Sequence, residues 1–460
     1  MTAREADTPL GELARRGKPS LTMAGPLSRR TMLAGAGAFV ATLGTPARLR
    51  AAGRKRLRIL QWNHFVPAYD RWFDAWARDW GEKHDTDVTV DHVGVNALNS
   101  TAAAEVSAGQ GHDLVGFLRP RPVHEPDAID HREIVEECQR RYGKPLDLAV
   151  RSTRNPRTGK FHGFCDSVVP DPINYRSDLW AEAGQTPDDW DRVRIGGQAI
   201  RARSKVPVGI GLSSEEDTAI ALRALLLAFG GAEQTAEGVP ALGSKETVEA
   251  VKYVTALYRE AMTPAVLAWD PSSNNRAMLA GQSSLVMNAI SITRSAEKDK
   301  LPISSKIAIA APPRGPAGRT GLPHATSVYV VWKFAENVPG AKAFLVDLVG
   351  QSREVFRASE SYNFPAFPDR VKDLPALLAK DPQATPPDKY AVLADAFSWM
   401  TNLGAPGYAN AALDDAYGTW VVNTMFARAA TGADSAEDAV KQADQKLRQI
   451  WQKWQARGLV

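Results

Sequence analysis

Strands and helices alternate at the start of the folded part of the chain, and this alternation restricts the possible folds most. Stretches typical of strands lie at 57–62, 87–93 and 113–118, and patterns typical of helices lie between them at 69–83 and 100–108. Because strands that alternate with helices usually run parallel, this order predicts a parallel sheet with helices on its faces. Such a sheet binds ligands at the carboxyl ends of its strands.

The positive charge of the chain is concentrated at its N-terminus. The sequence has 460 residues, with 56 Lys or Arg and 52 Asp or Glu, and residues 1–52 hold eight of the basic and three of the acidic side chains. The remainder is therefore nearly neutral, which argues against binding to nucleic acid through a surplus of cations. A chain of this length also exceeds what one hydrophobic core usually serves, so two lobes are expected.

Residues 1–52 have the features of an export signal. Arg29 and Arg30 precede a short, mildly apolar run at 33–43, a pattern that resembles a twin-arginine signal for proteins exported already folded. The run is much shorter than the ~20 apolar residues that a membrane-spanning helix needs. A disordered basic tail is the other interpretation, but it would not require an apolar run after the arginines. We predict that residues 1–52 are a twin-arginine signal peptide and leader.

Few residues point to a metal, a cofactor or catalysis. The two cysteines, Cys138 and Cys165, could form one disulfide in an oxidising compartment or remain two buried thiols, and both interpretations stay open. Their spacing does not match a zinc or iron–sulfur motif, and the sequence lacks the common hydrolase, metalloprotease, dinucleotide and phosphate-loop motifs. We therefore predict no cofactor, no bound metal and no catalytic residue.

Several short motifs occur along the chain in an order typical of one protein family. They are Gly-Lys-Phe-His-Gly-Phe at 159–164, Asn-Tyr-Arg-Ser-Asp-Leu-Trp-Ala-Glu-Ala-Gly at 174–184, Ala-Met-Leu-Ala-Gly-Gln-Ser-Ser-Leu-Val-Met at 277–287, and a C-terminal helical segment at 430–447. In this order and spacing, the chain from Leu57 onward resembles the family 1 extracellular solute-binding proteins of ABC importers, the maltose-binding class.

The resemblance implies an α/β fold of the periplasmic-binding-protein type II, with two lobes joined by crossover strands and a hinge. Residues 53–167 and 324–361 would form the N-terminal lobe, and residues 168–323 and 362–460 the C-terminal lobe. It also implies a monomeric periplasmic protein that is not an enzyme. This protein would capture a small solute between its lobes and deliver it to an ABC permease in the inner membrane. The twin-arginine translocase would be its partner during export.

A sugar, a polyol or a similar small solute is the ligand that the resemblance implies. Capture of such a ligand needs aromatic rings over the apolar faces of sugar rings and polar groups that pair with the hydroxyls. A hydroxyl buried without a partner costs about 1–3 kcal/mol, so these polar groups have to be placed with care. The alternatives are a non-sugar solute, such as an organic acid or a polyamine, and a periplasmic enzyme.

In the first lobe, the candidate ligand-binding residues follow the ends of the predicted parallel strands. Trp62, Asn63 and His64 follow the first strand, Asn96 follows the second, and Arg119 follows the third. A fixed guanidinium such as that of Arg119 suits a carboxylate or phosphate on a ligand. The alternatives are a core position for Trp62, a surface position for His64 and a solvated loop position for Arg119.

The remaining candidates depend on position in the family or at a crossing between the lobes. They are Asp166 at the first crossing, Tyr362 and Asn363 near a later crossing, and Trp269 with Asp270, Asn288 and Tyr408 in the second lobe. We expect Trp62, Trp269 and Tyr408 to converge on one cleft between the lobes. Asn63, His64 and Arg119 are expected to face them there.

Overall fold

Residues 54–460 are the part of the chain that the computed structural model describes, so the predicted leader with Arg29 and Arg30 lies outside the described residues. The strands of this part are β1 (Lys55–Trp62), β2 (Thr86–Val93), β3 (Leu114–Phe117), β4 (Phe164–Pro170), β5 (Ile173–Arg176), β6 (Val208–Gly209), β7 (Leu285–Met287), β8 (Ile307–Ala310), β9 (Arg314–Gly315), β10 (Gly318–Arg319), β11 (Pro323–Val331) and β12 (Phe364–Pro365). The helices are α1 (Pro67–Lys83), α2 (Val95–Ala108), α3 (Arg132–Tyr142), α4 (Asp147–Thr153), α5 (Ser177–Glu182), α6 (Trp190–Ser204), α7 (Glu216–Ala228), α8 (Lys245–Ala261), α9 (Ser273–Leu279), α10 (Ser291–Lys298), α11 (Val338–Gly350), α12 (Ser352–Ala358), α13 (Leu374–Ala379), α14 (Ala396–Trp399), α15 (Ala411–Gly418), α16 (Val421–Thr431) and α17 (Ala436–Gln455).

Each lobe is built around its own sheet. The sheet of the first lobe has the strand order β12-β4-β11-β3-β1-β2, in which β1 pairs in parallel with β2 and β3, whereas β11 runs antiparallel to β3 and β4. The sheet of the second lobe has the order β6-β7-β5-β8, with β6 parallel to β7 and β5 antiparallel to both of its neighbours. The strands β9 and β10 form a separate small hairpin.

Burial along the first strands explains why their sequences differ. Strand β3 is central and all four of its residues are buried, as expected for a strand with both faces covered. The edge strand β2 instead alternates between more and less exposed residues. Helix α1 packs on this sheet through its aromatic face, on which Trp80 is buried while Trp72 and Trp76 are half-buried and stacked with their ring centroids 6.0 Å apart.

Two helices begin earlier than their sequence patterns predict. Helix α1 starts at Pro67. Proline is well tolerated at this position, because it lacks a backbone N–H and the first N–H groups of a helix have no partner within the helix. Helix α2 starts at Val95, directly after Gly94. Asn96, which the sequence predicts in a loop after the second strand, therefore lies in the first turn of α2.

Most residues of the first hydrophobic core come from 57–169 and 325–400, and those of the second core come from 173–287 and 411–454. The sequence assigned residues 362–460 to the second lobe, but the segment up to Met400 packs with the first. Two features hold it there: β12 pairs with β4, and Tyr362, Phe364 and Phe367 are buried in the first core.

The two cysteines are free thiols in the structure. Cys138 lies on α3 and Cys165 on β4, and both are packed in the first core. The Sγ atom of Cys165 donates a hydrogen bond to the backbone oxygen of Ser167 at 3.4 Å. The disulfide that the sequence left open is therefore not formed, and the alternative of two buried thiols is correct.

No helix of residues 54–460 is both long and apolar enough to cross a membrane.

Candidate ligand-binding cavity between the lobes

A cavity of about 460 Å³ lies between the two lobes, in the usual size range of small-ligand sites. The first lobe lines it mainly with Phe65, Val95, Leu98, Asn99, Phe117, Leu118, Arg119 and Pro120. The second lobe lines it mainly with Glu216, Asp217, Ile220, Asp270, Ser272, Asn275, Asn288, Ser291 and Tyr417. The segments that cross between the lobes add Leu322, Pro323, His324 and Leu403.

The wall from the first lobe consists of the segments that follow β1, β2 and β3. These strands are parallel neighbours, so their carboxyl ends meet at one edge of the sheet. Phe65 lies in the loop after β1, is 48% exposed and contacts the ring of Trp62 with a centroid separation of 5.1 Å. A large, half-exposed ring in a cavity wall is available for contact with a bound molecule.

The wall from the second lobe begins with the first turn of α7. The carboxylate of Glu215 caps this helix by accepting hydrogen bonds from the backbone nitrogens of Asp217 at 2.7 Å and Thr218 at 2.5 Å. This cap brings the next two residues, Glu216 and Asp217, to the cavity. Acidic side chains in the first turn are also favoured by the helix dipole.

Asp217 is held by two side-chain amides. Its Oδ2 atom accepts hydrogen bonds from Nδ2 of Asn274 at 2.7 Å and from Nδ2 of Asn288 at 3.2 Å. Burial raises the pKa of Asp217 to about 7, although the nearby charge of His324 acts in the opposite direction. Asn288 has a further buried atom, Oδ1, that has no hydrogen-bond partner among the described residues. Asp217 and Asn288 both belong to the cavity lining, so this group makes that part of the wall polar.

Arg119 joins the two lobes at the edge of the cavity. Its Nη1 atom lies 2.6 Å from Oδ1 of Asp414 on α15, and its guanidinium lies over the ring of Tyr417, 4.4 Å from the centroid. A second guanidinium, that of Arg121, lies 3.3 Å from the same carboxylate oxygen. Asp414 is only 2% exposed at its side chain, so this is a largely buried interlobe ion pair. Arg119 therefore holds the walls together and is not a free ligand for an anion.

His324 lies where β11 enters the sheet of the first lobe. Its Nδ1 atom is 3.1 Å from Oδ1 of Asp171, which lies on the chain between β4 and β5. Burial by itself would lower the pKa of this imidazole, but the hydrogen bond to Asp171 and the charges of Asp217 and Asp171 outweigh that effect and raise the pKa to about 9. The imidazole is therefore a cation at neutral pH.

Of the predicted ligand-binding residues, Arg119, Asn288 and Asp270 line the cavity. Trp62, His64, Tyr362 and Asn363 form a buried layer that is not part of the lining, while Asn63 lies exposed in the loop after β1. The side chain of Asn96 lies outside the described part of the structure. Trp269, Tyr408 and Asp166 do not line the cavity, so the expected convergence of Trp62, Trp269 and Tyr408 is wrong.

Most misplaced residues of the first lobe are buried in its interior. His64 is stacked on Trp62 with ring centroids 4.8 Å apart, and its Nε2 atom lies 3.1 Å from Oδ1 of Asn363. Burial lowers the pKa of His64 to about 4, so this ring is neutral inside the first lobe. Burial also raises the pKa of Asp166, on β4, to about 6.

In the second lobe, the two predicted aromatic residues pack elsewhere. Trp269 is half-buried against the second core. The ring of Tyr408 lies beneath the guanidinium of Arg151 at 5.4 Å, and its backbone oxygen accepts a hydrogen bond from Nε2 of Gln234 at 2.8 Å. Loop aromatics with Gly or Pro neighbours were expected to face the ligand, but here each packs against its own surroundings.

The sequence did not identify Phe65, Glu216, Asp217, His324 or Tyr417 as cavity residues. Phe65 directly follows the predicted group at 62–64, so its place after β1 was a usable signal. The run of three acidic residues at 215–217 is typical of the start of a helix, but nothing in it indicates that the helix points at a cavity. His324 and Tyr417 have no local signal.

Comparison with known proteins identifies the fold. Two crystal structures match the chain over 86% of its length and 99% of their own at 16% sequence identity. One is a sugar transporter from Arthrobacter chlorophenolicus with bound laminaribiose, at a TM-score of 0.71, and the other is an ABC transporter solute-binding protein from Thermotoga lettingae with bound α-D-tagatose, at 0.69. The chain has the type II periplasmic-binding-protein fold.

Sequence comparisons match parts of the chain to solute-binding proteins. Residues 161–346 match the family model described as bacterial extracellular solute-binding protein. A probable ABC transporter-binding protein from Deinococcus radiodurans is 24% identical over 273 residues, which is 53% of this chain and 64% of the relative. The chain thus spans less than two thirds of that relative's length. Among residues 54–460, no cluster of three or more His, Cys, Asp or Glu side chains could hold a metal ion.

Proposed function

We propose that this protein is the solute-binding component of an ABC importer, and that it captures a sugar or polyol in the interlobe cavity for delivery to a membrane permease. The observation that carries the proposal is the cavity itself, which has an apolar, aromatic wall on one lobe and a polar wall on the other. The match of residues 161–346 to solute-binding proteins and the name of the Deinococcus relative support the same function.

The two walls suit the two chemical faces of a sugar. Phe65 offers apolar surface to the C–H face of a ring, and such contacts supply most of the area buried on binding. The amides of Asn275 and Asn288 and the carboxylate of Asp217 offer hydrogen-bond partners to hydroxyl groups. Because a hydroxyl buried without a partner costs about 1–3 kcal/mol, this arrangement favours polyhydroxylated ligands.

The charges in the cavity discriminate between the alternative solutes. Three carboxylates, those of Glu216, Asp217 and Asp270, line the wall of the second lobe. Arg119 is already paired with Asp414, and the positive charge of His324 is balanced by Asp171, so neither cation is left to balance the charge of an acid. We therefore expect organic acids to bind weakly, and we keep a polyamine as the competing ligand class.

Binding assays test this proposal directly. Purified protein should be titrated with laminaribiose, D-tagatose, ribitol, spermidine and succinate, by calorimetry and by thermal unfolding, with mass balance on each solute. At least one sugar or polyol should bind reversibly, raise the melting temperature by linkage, and be recovered unchanged. Binding of spermidine alone would assign a polyamine carrier, and conversion of a sugar would assign an enzyme.

We also propose that the protein works in the periplasm as a monomer after export by the twin-arginine translocase. The support for the route is the pair Arg29 and Arg30 before the apolar run at 33–43. Replacing both arginines by lysine should trap the precursor inside the cell, as measured by fractionation. Normal periplasmic accumulation of that double variant would contradict this route.

A further inference from the structure

His324 occupies a position at the hinge where it can reach a molecule between the lobes. It is the second residue of β11, the strand that returns the chain from the second lobe to the first, and it lines the cavity. Its partner Asp171 lies on the opposite crossing, between β4 and β5, and the side chains are 8% and 3% exposed. The contact between the two crossings therefore positions this imidazole at the cavity wall.

The orientation of the ring leaves one nitrogen for the cavity. Nδ1 faces Asp171 at 3.1 Å, which leaves Nε2 as the ring nitrogen for a bound molecule. The rings of Phe65 and Tyr362 pack against His324 edge-on, at centroid distances of 6.1 and 6.3 Å. These contacts fix the plane of the imidazole, so the direction of the Nε2–H bond is also fixed.

An acceptor lies on the other side of the hinge. Asp217, from the first turn of α7, also lines the cavity, and its Oδ2 atom is occupied by the amides of Asn274 and Asn288. These amides hold the carboxylate in place from within the second lobe. A charged donor from the first lobe and a charged acceptor from the second lobe therefore face one cavity.

We propose that His324 is a specificity-determining, ligand-binding residue. Its Nε2–H group donates a hydrogen bond to one hydroxyl of the ligand, while Asp217 accepts one from a neighbouring hydroxyl. The pair selects ligands that carry adjacent hydroxyl groups, and it contacts them only when both lobes are in place. This inference rests on the proposed function and deepens it.

The proposal has a consequence for the pH dependence of binding. His324 must be protonated to donate from Nε2 while Nδ1 faces Asp171, so affinity should fall as the pH rises through the pKa of His324, about 9. Asp217 is the stronger acceptor when it is ionised, so affinity should fall as the pH drops below its pKa, about 7. The other charged or titratable groups near this pair are Asp171, Glu215 and Tyr362, together with Glu216, Asp270 and Arg119 in the cavity lining. Affinity should therefore be highest between about pH 7 and 9.

The experiment measures the affinity for laminaribiose and D-tagatose between pH 5.5 and 10 in four variants. His324→Gln, which cannot be charged, should weaken binding at least tenfold at pH 7.5 and abolish the alkaline decline. Asp217→Asn should abolish the acidic decline. Asp171→Asn, which removes the group that keeps the ring charged, should move the alkaline decline to lower pH. The surface variant His84→Gln is the control and should match the wild type.

A measurement without ligand separates this inference from the proposed function. In protein labelled with ¹⁵N-histidine, the His324 signal, assigned by its loss in His324→Gln, should show both ring nitrogens protonated at pH 7.5. A neutral ring at that pH overturns the inference. Tight binding of either sugar by His324→Gln with an unchanged pH profile also overturns it and leaves the proposed function intact. If neither sugar nor ribitol binds the wild type, the proposed function fails, and this inference fails with it.

Discussion

The cavity wall from the first lobe is largely apolar, whereas the wall from the second lobe is polar and acidic. The apolar wall comes from segments that follow three neighbouring strands of one sheet, and Phe65 is its most exposed ring. The polar wall comes from the start of α7, from α9 and from the residues after β7, which are distant in sequence. One lobe thus provides contact area and the other provides hydrogen bonds, so both are needed for a complete site.

The lobes also differ in their buried titratable groups. All eight histidines of the chain lie in the sequence of the first lobe or at the start of β11. Burial lowers the pKa of His64 and His131 to about 4 and that of His162 to about 3. In the second lobe, burial instead raises the pKa of Asp217 to about 7.

The largest expected effect is a selective loss of stability of the first lobe in acid. A histidine whose pKa is lowered on folding contributes stability that is present above pH 6.5 and is lost as the pH falls toward the folded-state value. Between pH 7 and 5 each of the three histidines should cost about 2 kcal/mol, while the raised pKa values should offset about 1 kcal/mol for Asp166 and about 2 kcal/mol for Asp217 in the second lobe. Urea unfolding at both pH values should show this loss.

Hydrogen exchange of backbone amides at pH 5 would identify the lobe that loses stability in acid. Amides of β1 and β3 should lose protection at pH 5 before those of β5 and β7. His131→Gln is the matched variant, because His131 Nε2 accepts a hydrogen bond from the backbone nitrogen of Val331 that protonation would break. The variant should lose less stability between pH 7 and 5 than the wild type. Equal acid sensitivity of the two lobes would contradict this explanation.

The next effect concerns the ion pair that joins the walls. Asp414→Asn removes the carboxylate that Arg119 and Arg121 share and leaves two partly buried guanidiniums without it. Breaking a buried ion pair in this way should lower the free energy of unfolding by about 3 kcal/mol. Asp415→Asn on the same helix is the control, because its partner Lys453 is half-exposed and the pair should matter much less. A loss of under 1 kcal/mol for Asp414→Asn would show that the walls are held by other contacts.

A smaller effect is expected for the apolar wall. Phe65→Ala should weaken sugar binding by about 1–2 kcal/mol, because the ring offers contact area to the ligand. Stability should change little, since the side chain is 48% exposed. Ile195→Ala, which removes a similarly exposed apolar side chain from α6, should change neither quantity. If Phe65→Ala binds like the wild type, the apolar wall does not contact the ligand.

The fold was largely predictable because its signals are local or follow the order of the chain. The alternation of strands and helices at 57–118 gave the parallel part of the first sheet, and the family motifs gave the two lobes. The segment 362–400 was assigned to the wrong lobe because local patterns do not reveal its contacts. Strand β12 is only two residues long, and it pairs with β4, which lies far away in the sequence. A strand this short has no pattern of its own.

The site was less predictable than the fold, and unequally so for its two walls. The predicted ends of the strands correctly indicated the loop that carries Phe65 and the position of Arg119, because ligands bind at the carboxyl ends of parallel strands. Nothing in the sequence indicated that Arg119 would form an ion pair with Asp414, which lies nearly three hundred residues later. The polar wall depends on how the second lobe folds around α7, so residues such as Asp217 and Tyr417 carried no local signal.

The smallest effect is expected at Tyr408, which the sequence placed in the site. Its ring does not line the cavity and contacts the guanidinium of Arg151 at 5.4 Å instead. Tyr408→Ala should therefore leave sugar affinity within about 0.5 kcal/mol of the wild type, while costing about 0.5–1 kcal/mol of stability through the lost cation–π contact. Calorimetry on this variant and on Phe65→Ala, with the same sugar, compares the two aromatic residues directly. A loss of affinity in Tyr408→Ala as large as that in Phe65→Ala would mean that the ligand extends beyond the cavity toward the 405–408 loop.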